Sequence, residues 1–162
     1  MDSVLTLRFT RLSDATHRFE YRRPDGTGET LELESASVLF HDLLHFVVES
    51  EAGLNGSFYG LVARIGGYAE LSVNGGAALG GEIAVTERVV AALAEAVRDE
   101  EADVDAVVEQ ARGDFELYGE RAPRWLTAEF VAKALGRMRE LEGRWAATPI
   151  GETMELRFPL AR

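Results

Sequence analysis

A chain of 162 residues, 46% hydrophobic and 28% charged, is long enough to bury a core as one domain spanning residues 1–162. Its net charge of −11 repels phosphate backbones and anionic lipid, so nucleic acid and membrane surfaces are poor partners. The absence of cysteine excludes disulfides, thiol nucleophiles, zinc ribbons and iron–sulfur clusters.

No basic and apolar leader is visible before the first strand-like run, and no apolar run approaches the roughly 20 residues of a membrane span. A cytoplasmic location is the expectation. Sixteen of the 17 basic residues are Arg, which together with abundant Ala and Gly points to a GC-rich bacterial genome.

The first third alternates with period two. Leu5, Leu7 and Phe9 alternate with Thr6, Arg8 and Thr10, and His17, Phe19 and Tyr21 with Arg18, Glu20 and Arg22. Pro24-Asp25-Gly26 supplies turn chemistry, and Leu31 and Leu33 alternate with Glu32 and Glu34 beyond it. This predicts an antiparallel three-stranded meander.

The middle is helical. Ser35 or Ser37 caps a helix to about Ser50, broken by Gly53 and Asn55-Gly56. Ser57 caps a shorter helix with Phe58, Leu61, Val62 and Ile65, stopped by Gly66-Gly67. Residues 68–84 are glycine-rich and show no assignable pattern. Thr86 is expected to cap a helix with Val89, Val90, Leu93 and Val97, and another follows with Val104, Val107, Val108, Ala111 and Phe115. Thr127 opens a long helix whose Val131, Leu135, Met138 and Trp145 share a stripe.

Met154, Leu156 and Phe158 then return to strand alternation. A lone terminal strand is not stable, so it must pair with the meander. The expected class is α+β: one antiparallel sheet of the N-terminal meander plus the C-terminal strand, packed with about five helices.

Chemistry concentrates in Phe40-His41-Asp42-Leu43-Leu44-His45-Phe46-Val47-Val48-Glu49. At 100° per residue His41, Asp42, His45 and Glu49 fall within an arc of about 100°, and apolar residues cover most of the rest. This is a mostly buried helix whose only polar stripe is titratable. Histidines at i and i+4 have Cβ atoms about 5–6 Å apart, so both imidazoles can reach one divalent ion. The expected ligands are His41, His45 and Glu49, with Asp42 as general base or orienting group, as in a shortened H-E-x-x-H pattern. Glu49 lies about 12 Å of helix rise beyond His41, a marginal reach, so pairing with His45 behind the ion is its alternative role. A further ligand would then come from Glu51, Glu70, Glu82 or His17.

His41-Asp42-Leu43-Leu44-His45 resembles the HDxxH motif of a ubiquinone-biosynthesis family of helical proteins, and is similar to a stretch found in bacterial proteins of unknown activity. The resemblance implies a metal site near a lipid-binding surface. That family pattern asks for a glutamate eleven intervening residues after the second histidine, where this chain has Ser57. An HD-phosphohydrolase fits less well, because those domains are all-helical and need further His and Asp ligands.

Other motifs favour structure over chemistry. Gly75 to Gly81 lacks the lysine and Ser/Thr of a phosphate loop and reads as a surface loop or a lid over the histidine helix. Asp99 to Asp105 lacks the spacing of a calcium loop and suits a helix start. Arg121, Arg124, Lys133, Arg137, Arg139 and Arg144, near Trp125 and Trp145, form the one basic region, best read as a solvated helix face. Two functional classes result. One is a divalent-metal protein, zinc-like in its ligands, with metal-dependent hydrolysis as its chemistry. The other is a non-catalytic binding or interaction module with a structural histidine network.

Overall fold

The computed structural model describes residues 3–64, 67–73 and 81–161, and within it the chain begins as the alternation requires. Strands β1 (Val4–Arg11), β2 (Thr16–Arg22) and β3 (Gly28–Glu34) form the antiparallel meander. Strand β4 (Thr153–Pro159) pairs antiparallel with β1, giving the order β3-β2-β1-β4. Its register sets Phe158 opposite Leu5, Leu156 opposite Leu7 and Met154 opposite Phe9, so the inward faces of both strands form one continuous apolar surface.

The β2–β3 turn is the one its composition requires. Gly26 adopts φ +89°, open to glycine at no steric cost, and the Asp25 carboxylate accepts the Thr27 N–H at 2.9 Å.

Among the described residues six helices follow: α1 (Ser35–Ala52), α2 (Phe58–Arg64), α3 (Tyr68–Val73), α4 (Gly81–Arg98), α5 (Val104–Leu117) and α6 (Ala128–Ala146). Two differences from the sequence pattern matter. Part of the unassigned segment forms the short α3, and α4 begins five residues before Thr86. Thr86 is no cap but a buried mid-helix residue, its hydroxyl 3.0 Å from the Glu82 carbonyl and 2.7 Å from the Ser57 hydroxyl. Thr127 and Asp103 do cap their helices, accepting the N–H of Phe130 and Asp105. Of the acidic run, Asp103 and Asp105 stand at the start of α5, while Asp99, Glu100 and Glu101 form the turn after α4, where the Asp99 carboxylate accepts the Glu101 N–H. Ile65, Gly66 and most of the Gly75–Gly81 segment lie outside the described residues.

Helix α1 is the centre of the molecule. It contacts three of the four strands on one side and α4 and α6 on the other, which is why its apolar residues run almost all round it. Gly53 ends it in the left-handed region at φ +69°, its N–H bonded to the Glu49 carbonyl. No helix is long and apolar enough to cross a membrane among the described residues.

Candidate metal centre

Because α1 is enclosed by sheet and helices, every residue from Asp42 to Glu49 is buried. Asp42, His45 and Glu49 must therefore find partners within the protein. The two short helices supply them. The Tyr59 N–H of α2 donates to Glu49 Oε1 at 2.9 Å, while the Tyr59 hydroxyl donates to the Asp42 carbonyl at 2.7 Å. From α3, the Tyr68 hydroxyl donates to Asp42 Oδ2 at 2.6 Å. The other Glu49 oxygen, Oε2, lies 2.8 Å from His45 Nδ1.

The opposite face of the His45 ring meets α4. Its Nε2 lies 3.1 Å from Glu87 Oε1, and His41 Nε2 lies 3.6 Å from Glu87 Oε2. The two imidazoles are 4.5 Å apart between centroids. One ligand atom from each of His41, His45 and Glu87 falls within 4.8 Å of the others. The His45 Nε2 atom is buried and, despite its proximity to Glu87, lacks hydrogen-bonding geometry to any partner among the described residues. The group is closed on the His45 side and open on the other, where the His41 side chain is 54% exposed.

Electrostatics follow from this placement. Burial alone would discharge His45, but the Glu49 and Glu87 carboxylates outweigh it and raise its pKa to about 9. Burial raises Glu49, against the opposing pull of His45 and the Tyr59 N–H. Both members of the pair move upward, so the pair retains a proton, and the second carboxylate at Glu87 places it on His45. Glu87 has burial against it too, yet the two histidines take it down to about 2. Asp42 is pushed up to about 6 by burial, only partly offset by the Tyr68 hydroxyl and the histidines.

The sequence candidates therefore divide. His41 and His45 come together as the i, i+4 spacing requires. Glu49 reaches His45 Nδ1 rather than Nε2, the position of a supporting carboxylate behind the ring. Asp42 is turned into a tyrosine hydrogen bond. Glu51 pairs with Arg137 at 2.9 Å, Glu82 Oε2 accepts the Gly56 N–H, and His17 sits beside Ser35 at 2.9 Å in a separate cluster. The Glu70 side chain lies outside the described residues.

Glu87, Tyr59 and Tyr68 escaped the sequence reading. With a helix start expected at Thr86, Glu87 fell in the first turn, where an acidic residue suits the macrodipole and needs no further explanation. With the start at Gly81 it is a mid-helix carboxylate at the margin of the apolar face of α4. Comparison with family models, curated proteins and solved structures gives no match, so the function rests on this geometry.

Proposed function

We propose that His41, His45 and Glu87 bind one divalent, zinc-like ion, with Glu49 orienting His45 from behind. The observation that carries this is the convergence of one ligand atom each from His41, His45 and Glu87, on two helices, within 4.8 Å of one another. In tetrahedral zinc sites, bonds of about 2.0–2.1 Å set neighbouring ligand atoms roughly 3.3 Å apart. Each histidine meets its own Glu87 oxygen near that spacing, His45 Nε2 at 3.1 Å from Oε1 and His41 Nε2 at 3.6 Å from Oε2, and with one atom taken from each residue the three lie within 4.8 Å of one another. His41 is exposed enough to swing the remaining distance. Glu49 on Nδ1 completes a carboxylate–histidine–metal arrangement, which fixes the ring and its tautomer.

Two histidines and one carboxylate leave a fourth position for water, whose pKa an ion of this kind lowers toward neutrality. Hydrolysis is the reaction class this supports, with the open side of the cluster, at His41 and Glu87, as the approach. Asp42 serves as an anchoring group: through Tyr59 and Tyr68 it ties α2 and α3 to the metal-bearing helix.

A second reading has its own observation. His45 lies between two carboxylates, so a proton alone can satisfy the cluster, making it a structural network in a binding or interaction module. Metal content separates the two. Protein purified without a histidine tag and incubated with zinc should retain about one ion per chain and melt at higher temperature. Protein that stays empty with zinc, manganese and iron alike would leave only the structural network.

A further inference from the structure

Glu87 has a second exposure besides the histidines: it also lines a groove of about 770 Å³ between α4 and the loop joining α5 to α6. Small-molecule sites typically span about 300–1,000 Å³. One wall is the apolar surface of α4 at Ala84 and Val85. The other is built from Tyr118, whose ring lies 3.9 Å from the Arg88 guanidinium carbon. Arg88 is also paired through two nitrogens with Glu120, at 3.0 and 3.1 Å. Arg88 is thus fully engaged in holding the far wall in place.

Arg121 differs. It lines the same groove, is exposed, and has no carboxylate partner among the described residues. A second opening of about 690 Å³, running from Arg112 to Arg124, shares Arg121 but reaches none of the three donor residues. One groove therefore joins a free guanidinium, an apolar wall and Glu87, the one member of the metal group that lines it.

We infer that this groove binds an organic monocarboxylate with a short apolar body, its carboxylate on Arg121 and its remaining end at the ion; the inference rests on the metal reading for that last contact. The guanidinium fork matches a carboxylate bidentately. A dianion such as a phosphate monoester is disfavoured, because Arg88 is already neutralised and Glu120 lines the groove next to Arg121. The apolar body would lie between Tyr118 and Ala84. For a metal-dependent hydrolase this makes the substrate class an ester or amide bearing a free carboxylate on the far side of an apolar spacer.

The test is an NMR titration of isotope-labelled full chain, with and without one equivalent of zinc, using hexanoate, hexylamine and hexyl phosphate. Hexanoate should shift the Tyr118 and Arg121 signals with a dissociation constant of about 1 mM. Arg121→Ala should weaken it about tenfold, Arg121→Lys should recover part of the loss, and neither change should alter zinc stoichiometry. Hexylamine and hexyl phosphate should bind more weakly. Equal binding by Arg121→Ala, tighter binding of hexyl phosphate, or hexanoate binding only when zinc is present would each overturn the assignment. Protein that refuses zinc yet binds hexanoate through Arg121 would remove the ion and keep the groove; zinc-loaded protein indifferent to hexanoate would do the reverse.

Discussion

Two buried histidines in this molecule have opposite fates. His17, on β2, and His45, on α1, are both almost without solvent exposure, and both have an Nε2 atom lacking hydrogen-bonding geometry to any partner among the described residues. His17 is surrounded by a serine hydroxyl and by the Phe9 and Trp145 rings, and burial takes its pKa down to about 4. His45 meets two carboxylates, which take it up to about 9 against the same effect. Burial therefore does not identify a site; the charges brought to the buried group do. The comparison breaks most directly at Glu87. Glu87→Ala should lower zinc affinity by at least about 100-fold by equilibrium dialysis, since it removes one of three ligands. His17→Ala should leave zinc affinity unchanged. Equal losses in both variants would mean that zinc senses general stability rather than this cluster.

A smaller effect sharpens the same contrast. Glu49 touches no proposed open position, so Glu49→Gln should keep the one-to-one stoichiometry while weakening zinc about 10- to 100-fold through a poorly oriented His45. A variant that loses zinc altogether would make Glu49 a ligand, as the sequence pattern first suggested. A variant unchanged in affinity would show that the Glu49 pair serves the fold alone.

The N-terminal sheet was legible because its information is local. Alternation in residues 4–34 and 153–159 specifies which face is buried, and only one partner surface was available to β4. The paired histidines were legible for the same reason, since i, i+4 spacing on an apolar helix is a local property. Glu87 was not, because it lies 42 residues beyond His45 and its place depends on how α4 crosses α1. Tyr68 was hidden for a related reason: α3 is too short to show periodicity, and the carboxyl its hydroxyl bonds is buried on another helix. What remained unread in the site is thus what tertiary packing alone supplies.

The smallest expected effect tests the other half of the comparison, the histidine whose shift comes from burial. His17 folded titrates near 4, and near 6.5 when the chain is unfolded. Between those values the unfolded chain binds the extra proton, so stability rises with pH across this window and is lost as pH falls through it. The full shift would remove about 2 kcal/mol between pH 7 and pH 5; His17 lies under a thin layer rather than deep in the core, so about 1–2 kcal/mol is expected. His45 has a raised pKa, so its contribution is intact below about 6.5 and is lost as pH rises from there toward 9. His17→Leu should therefore flatten the acid side of the stability profile, measured by urea unfolding at pH 5, 6 and 7. It should cost little at pH 7, where the ring already behaves as an apolar group and the Ser35 hydroxyl it leaves can reach water. A variant that loses stability on acidification as steeply as the wild-type chain would show that His17 keeps an ordinary pKa, and that the contrast between the two histidines is one of position without one of charge.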